Sequence, residues 1–217
     1  MDSRVRIAFC RFFAPYFLDY LNRFPFLLTE VFRYNGQGMI TIYFTRHGET
    51  DWNIERKIQG HVEVDLNEKG KAQAKALHNK LLNTPIDLIF VSPLRRAKET
   101  AEIIRGDRNI PMFEDSRIIE EFYGDMEGES RSNEDYLVQR QCFAKRYPHG
   151  EGYFDVVQRV YNFFDELKEK YDGKVKTILV VAHGGMSRVV NSYFHDMTND
   201  EFIHYGISNC ELVKYEL

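Results

Sequence analysis

Three short apolar runs, each followed by a stretch that favours a helix, constrain the fold of this chain most. They span residues 39–45, 86–91 and 177–182. Short apolar runs rich in β-branched residues are typical of strands that are buried on both faces. Strands that alternate with helices predict a parallel or mostly parallel sheet with helices on both sides. We therefore predict an α/β fold of three layers, α/β/α, with a mostly parallel central sheet.

The segments between these strands carry recognisable start and stop signals. Asn67 and Glu68 open a helix, and Pro85 stands beyond its end. Residues 117–150 have mixed charge, which predicts loops and a short helix. In residues 211–217 polar and apolar residues alternate, which predicts a final strand. The predicted helices span residues 66–82, 95–104, 154–171 and 185–194.

Cationic and imidazole side chains follow each of the three strands. Arg46 and His47 end the first, Arg96 follows the second and His183 follows the third. Ligands of open parallel sheets bind outside the carboxyl ends of the strands, so these side chains converge if the strands are neighbours. Arginine orients and neutralises an anion, and histidine supplies a nitrogen nucleophile. The plainer alternatives are a surface Arg-His pair and, for His183, a cap on the following helix.

Together these segments resemble a known family. Residues 46–50, Arg-His-Gly-Glu-Thr, are similar to the opening signature of the histidine phosphatase superfamily, the phosphoglycerate-mutase-like proteins. Residues 92–97 and 181–185 resemble its second and last signatures, and Glu120, four residues before Gly124, matches its acid-bearing segment. The resemblance covers residues 40–217 in the right order.

The resemblance implies a role for each catalytic residue. His47 is the nucleophile that forms a phosphohistidine, and Glu120 is the general acid. Arg46 and Arg96 clamp the phosphoryl group, and His183 donates a hydrogen bond to it. Arg96 is preferred over its neighbour Arg95 because it directly precedes an alanine, as the family's arginine does. Spacing to Gly124 likewise selects Glu120 over Glu121. The expected substrate-binding residues are Arg46, His47, Asn53, Gln59, Gly60, Arg96 and Gly184.

Plainer interpretations remain open for several of these residues. Glu120 stands in an acidic stretch where most carboxylates are only solvated, and Asn53 and Gly60 suit any loop. Glu151-Gly152 stands where the family often has Glu-Ser, so one hydroxyl contact is missing.

Composition limits the partners. The net charge of -4 gives no overall basic field, so we expect no nucleic acid, and a phosphate site must be a local basic pocket. Three distant cysteines without a Cys-x-x-Cys pair indicate a reducing compartment, and we expect a cytoplasmic protein. The seven histidines show no zinc-binding spacing, and arginine and imidazole already supply positive charge. We therefore expect no cofactor and no metal.

Residues 1–38 differ from the remainder, which we take as the catalytic domain, residues 39–217. Ten of these 38 residues are aromatic, against 21 of the following 179. An aromatic stripe runs from Phe9 to Phe24 and is interrupted by Pro15. A packed extra helix and a sequence outside the working protein are equally favoured, and a membrane-surface anchor is least favoured. The sequence does not indicate an oligomeric state.

The leading functional hypothesis is a phosphomonoesterase that acts on small phosphorylated metabolites. A cofactor-dependent phosphoglycerate mutase is the alternative, since it shares the catalytic set. The resemblance implies that mutases carry a longer insert between the acid and the second histidine than the segment from Glu120 to His183. The third hypothesis is a phosphate-binding protein with an inactive catalytic site. It predicts that His47, Arg96 or His183 is lost, but all three are present.

Overall fold

A computed structural model describes residues 38–217 of the chain. The prediction for residues 1–38 therefore lies outside the described residues, Gly38 excepted. Residues 39–217 form one compact unit. In the part of the chain described, no helix is long and apolar enough to cross a membrane.

The central sheet has five strands in the order β3-β2-β4-β1-β5. Four of them are parallel, and β5 runs antiparallel to β1 at one edge. The mostly parallel sheet predicted from the sequence is thus confirmed. The strands are β1 (Thr41–Arg46), β2 (Leu88–Val91), β3 (Met112–Glu114), β4 (Thr177–Ala182) and β5 (Leu212–Glu216).

Helices cover both faces of the sheet. They are α1 (Asp51–Ile54), α2 (Glu68–Lys80), α3 (Arg95–Arg105), α4 (Glu134–Gln139), α5 (Tyr153–Tyr171), α6 (Gly184–Phe194) and α7 (Asn199–His204). Two short 3₁₀ helices span Ser116–Ile118 and Gly124–Met126. The predicted helices are all present, whereas α1, β3 and α7 were not foreseen.

Side chains of β4 alternate between two separate cores. Ile178 and Val180 pack with Phe163 and Phe164 of α5 and with α6. Leu179 and Val181 face the other way and pack with α2 and α3. Because successive strand residues point to opposite faces, a strand apolar at every position must be covered twice. This alternation produces the three layers.

The register of the sheet sets where the strands end. β4 lies between β1 and β2, with Arg46 opposite Ala182 and Val91 opposite Val181. The residues that follow, His47, His183 and Ser92, therefore leave the sheet at one edge. This edge positions the candidate site.

Candidate active site

His47 is held immediately beyond β1 with one ring nitrogen already occupied. Its Nδ1 lies 2.7 Å from the carbonyl oxygen of Gly48, and only 2% of the residue is exposed. A carbonyl only accepts, so Nδ1 carries the proton and Nε2 keeps its lone pair. A Cβ on Gly48 would lie 2.5 Å from the carbonyl oxygen of Gly70, so this turn excludes any side chain. The local chain thus presents a nucleophilic nitrogen in a fixed tautomer.

The surroundings of His47 keep the imidazole neutral. Burial lowers its pKa well below the usual value, and the charges of Arg96 and Arg46 lower the pKa further. A protonated imidazole has no lone pair to donate. The same positive charges that attract an anion therefore keep the ring in its nucleophilic form at neutral pH.

His183 lies beside His47, with the ring centroids 5.2 Å apart. It occupies the N-cap position of α6, but its side chain makes no capping hydrogen bond. Instead Nε2 lies 2.6 Å from the hydroxyl oxygen of Ser92, and Nδ1 is buried without a partner. Burial, followed by the charge of Arg96, lowers its pKa well below the usual value. A neutral ring that accepts from Ser92 at Nε2 carries its proton at Nδ1, and this N–H has no acceptor among the described residues.

The two arginines expected to clamp a phosphoryl group differ in exposure. Arg46 lines the pocket and donates from Nη1 to the carbonyl of Ile207 at 3.2 Å. Burial, and after it the positive charge of Arg131, lowers the pKa of Arg46 to about 10. Arg46 therefore stays cationic at neutral pH. Arg96 is fully buried and does not line the pocket. The Nε atoms of both arginines are buried and lack a protein partner.

Arg96 and its neighbour Arg95 face different surroundings. Arg96 donates to the carbonyls of Gly60 and Val62, at 2.7 and 2.8 Å, and so fixes the loop that follows α1. Arg95 is largely exposed and forms ion pairs with the carboxylates of Glu63 and Asp65. Arg96 therefore acts on the pocket through its charge and through the loop that it holds.

Glu120 lines the pocket, whereas Glu121 does not. One carboxylate oxygen of Glu120 accepts from the amide of Gly185 at 3.0 Å, and the other accepts from the amide of Glu121 at 3.1 Å. The backbone carbonyl of Glu120 accepts from His61 and Arg159, at 2.8 and 3.0 Å. Side chain and backbone are thus both held.

The polar loop after β1 brings its predicted residues into the same pocket. Asn53 forms a capping box with Thr50 at the start of α1, which leaves its Nδ2 buried without a partner. Gln59 donates from Nε2 to the hydroxyl of Thr50 at 2.9 Å, and its Oε1 is likewise free. Gly60 has a φ of 49°, where a Cβ would collide with the carboxylate of Glu127. Asn53 and Gln59 thus line the pocket and each keeps a buried amide atom without a protein partner.

The pocket has a volume of about 230 Å³. Seven of the predicted residues line it: Arg46, His47, Asn53, Gln59, Gly60, Glu120 and Gly184. Arg96 and His183 lie outside its lining and are fully buried. The other lining residues, which were not among the predicted catalytic and substrate-binding residues, are Ile58, Tyr123, Arg131, Tyr136, Arg140, Gly185, Arg188, His204, Tyr205, Gly206 and Ile207.

The side chain of Glu151 makes structural hydrogen bonds in this region. Its carboxylate accepts two hydrogen bonds from Arg159, both at 3.0 Å, and one from the amide of Phe122 at 2.9 Å. Gly152, which stands where the resemblance implied that a serine is common, is the N-cap residue of α5. Within residues 38–217 no group of three or more His, Cys, Asp or Glu residues is arranged to hold a metal ion.

Comparisons with known proteins agree with this architecture. The uncharacterized phosphatase PhoE of Bacillus subtilis is 35% identical over 151 residues, which cover 67% of this chain and 72% of PhoE. A 2,3-bisphosphoglycerate-dependent phosphoglycerate mutase of Gloeobacter violaceus is 28% identical over 82% of this chain and 86% of its own. The solved alpha-ribazole phosphatase of Shigella flexneri superposes with a TM-score of 0.72 at 27% identity, covering 81% of this chain and 89% of that one.

A sequence profile described as the histidine phosphatase superfamily, branch 1, matches residues 42–217. The match begins at the second residue of β1 and ends at the last residue of the sequence, so it includes the other four strands and every residue of the pocket. The resemblance seen in the motifs is thereby confirmed: the chain belongs to the histidine phosphatase superfamily.

Proposed function

We propose that this chain is a phosphomonoesterase that hydrolyses small phosphorylated metabolites through a phosphohistidine at His47. The observation that carries the proposal is the state of this imidazole. It is buried and neutral, its Nδ1 is engaged by Gly48, and it lies beside Arg46 in a pocket that also contains Glu120. A neutral nucleophile avoids the repulsion that an anionic oxygen would meet at a dianionic phosphate.

In the first step Nε2 of His47 attacks phosphorus, and the bond between phosphorus and the ester oxygen breaks. Glu120 in its acid form gives its proton to the departing alkoxide. Arg46 and the N–H of His183 stabilise the charge that spreads over the other phosphoryl oxygens. In the second step water attacks the phosphohistidine, and the carboxylate of Glu120 takes the proton of that water. Inorganic phosphate and free His47 result.

Trapping the intermediate tests this mechanism. Rapid quenching with labelled substrate, without acid, is expected to give an acid-labile phosphoprotein in the wild type and none in His47→Ala, with turnover reduced about 10⁴-fold or more. The exposed His149, 83% accessible in its side chain, gives the control variant His149→Asn. Label recovered on serine, or full activity of His47→Ala, would refute the mechanism. Activity is expected to survive a chelator, because the proposed chemistry uses no metal.

A phosphoglycerate mutase is the second candidate, because mutases are among the relatives. Both activities need the same histidine, so only the fate of the phosphoryl group separates them. Given 3-phosphoglycerate and a bisphosphorylated primer, the protein is expected to release phosphate and form little 2-phosphoglycerate. Interconversion much faster than phosphate release would favour the mutase. Phosphate binding without either reaction would indicate a binding protein.

A further inference from the structure

The turn that precedes β5 is bonded at three points to the end of β1 and the residue after it. The carbonyl of Ile207 accepts from Nη1 of Arg46 at 3.2 Å, and the amide of Cys210 donates to the carbonyl of Arg46 at 3.0 Å. Between these contacts, Nδ2 of Asn209 donates to the carbonyl of His47 at 2.8 Å. Asn209 thus contributes a side-chain contact from this turn to the backbone of the proposed nucleophile.

The carbonyl of His47 settles which way the side-chain amide of Asn209 is turned. A carbonyl oxygen only accepts, so the atom that lies 2.8 Å from it must be the amide nitrogen. The same nitrogen lies 3.3 Å from Oδ1 of Asn53. Because an amide nitrogen carries two N–H groups, Asn209 has one donor for each of these acceptors.

The side-chain amide of Asn53 is oriented in turn by two donors. Its Oδ1 accepts from Nδ2 of Asn209 at 3.3 Å and from the backbone amide of Thr50 at 3.2 Å. If the amide of Asn53 were flipped, its own N–H groups would face these two donors and both hydrogen bonds would be lost. Nδ2 of Asn53 therefore lies on the other side of the group, where it is buried and has no partner within residues 38–217.

Asn209 and Asn53 differ in their access to a ligand. Asn53 lines the pocket that contains His47, whereas Asn209 stands behind it and is not a lining residue. Without Asn209, the amide of Thr50 alone would oppose rotation of the Asn53 side chain, and the carbonyl of His47 would lose its side-chain partner. Any effect of Asn209 on a ligand is therefore transmitted through another residue.

We propose that Asn209 is a positioning residue, which turns the amide of Asn53 so that Nδ2 donates to an oxygen of the bound phosphoryl group. The inference rests on the proposed phosphatase function, because it assumes that a phosphoryl group occupies the pocket beside His47. A phosphoryl oxygen is an anionic acceptor and would satisfy the buried N–H groups of Asn53. An amide turned the other way would present Oδ1 to the same anion, and two acceptors repel each other.

Asn209→Leu tests this role, since leucine has about the size of asparagine and cannot donate a hydrogen bond. We expect kcat/KM for a phosphomonoester to fall about 10- to 100-fold, as the loss of one hydrogen bond to a charged group would produce. Ser208→Leu is the matched control, because it puts the same side chain into the same turn at an exposed position. It is expected to keep the wild-type kcat/KM. An equal loss in both variants would assign the effect to the turn as a whole and overturn the positioning role.

A double-mutant cycle with Asn53→Ala distinguishes positioning from a purely structural role. If Asn209 acts through Asn53, Asn209→Leu is expected to cost little more once Asn53 is replaced by alanine. Additive losses, measured well below each melting temperature, or an unchanged kcat/KM in Asn209→Leu would overturn the positioning role. If the leucine variant does not fold, Asn209→Ala removes the same two donors without adding volume and takes its place in the cycle, with the same coupling expected.

The positioning role and the phosphatase function fail separately. Hydrolysis by the wild type with additive losses in the cycle would reject the positioning role and leave the phosphatase intact. If no phosphate ester is hydrolysed, the phosphatase proposal fails, and calorimetry with inorganic phosphate runs the same cycle on binding. Asn209→Leu is then expected to raise the Kd for phosphate about 10-fold or more when Asn53 is present and hardly at all in Asn53→Ala. An unchanged Kd, or no binding of phosphate by the wild type, would reject the positioning role as well.

Discussion

The inner end of the pocket and its outer wall are built by different means. At the inner end, His47 and His183 directly follow neighbouring strands, and the sheet register sets their separation. The outer wall consists of Glu120, Tyr123, Arg131, Tyr136, Arg140, Arg188 and residues 204–207. Its segments are joined by contacts between side chain and backbone, such as those of Glu127 with the amides of residues 61, 62 and 123. The sheet register thus sets the positions of the two histidines, whereas contacts between side chain and backbone hold the wall.

Glu120 lies where these two regions meet, and its loss is expected to have the largest effect of the three changes that follow. Removing a positioned acid typically costs about 10²- to 10⁴-fold, so Glu120→Gln is expected to lose that much on glycerol phosphate. An aryl phosphate releases a stabilised phenolate, so its loss in the phosphorylation step is expected to be much smaller. Single-turnover kinetics give the comparison, because dephosphorylation can limit the steady state.

The neighbouring Glu121 provides the control for this measurement. Its carboxyl is buried outside the pocket lining, so Glu121→Gln is expected to change the rate with either substrate very little at pH 7. Equal losses on both substrates in Glu120→Gln would mean that Glu120 positions the phosphoryl group or holds the fold. A larger loss at Glu121 would show that the acid is one residue further along.

The inner end was predictable from the sequence because its residues are neighbours of strands in the chain. Apolar runs identify the strands. Where these strands pair, the residue after each run lies at the edge of the sheet at which ligands bind. The same reasoning placed the strand at 177–182 with the bounds that the structure has. Such local information suffices for His47 and His183.

The outer wall was less predictable because it depends on long-range contacts. Arg188 lines the pocket because of the orientation of α6 about its own axis, and no local sequence pattern specifies that orientation. β3 is three residues long and only partly buried, so it lacks an apolar run. The start of α7 does carry a signal, the capping box of Thr198 and Glu201, which would have identified this helix.

An intermediate effect is expected from Arg159, which holds the outer wall without touching the pocket. It donates to the carbonyls of Arg117, Ile119 and Glu120 at 2.6 to 3.0 Å and forms a two-pronged ion pair with Glu151. Arg159→Met frees the backbone that carries the acid. We expect kcat to fall about 10- to 100-fold, as a displacement near 1 Å would produce, with a smaller change in KM.

A double-mutant cycle distinguishes positioning from general destabilisation. If Arg159 acts through Glu120, its substitution is expected to cost little more once Glu120→Gln is present. Arg117→Met serves as the control, since Arg117 pairs with Asp115 and Glu166 and makes no hydrogen bond to Glu120. Fully additive losses, measured well below each melting temperature, would contradict the positioning role and show that the wall tolerates movement.

The smallest effect is expected on stability, from the neutral carboxyl of Glu121, which is buried outside the pocket lining. Burial raises the pKa of Glu121 to about 8 from an ordinary 4.5, so the folded protein retains a proton that the unfolded chain releases in this window. Stability contributed by this group is therefore full below pH 4.5 and is lost as pH rises towards 8. Since each pKa unit corresponds to about 1.4 kcal/mol, the loss is about 1–4 kcal/mol once relaxation around the site is allowed for.

Denaturant unfolding of the wild type and Glu121→Gln at pH 5, 7 and 9 measures this loss. Glutamine cannot ionise, so the free energy of unfolding of the variant relative to the wild type is expected to rise steadily from pH 5 to pH 9. A constant offset between the two proteins would reflect packing alone and does not affect this slope. A difference that stays flat with pH would mean that Glu121 ionises normally in the folded protein.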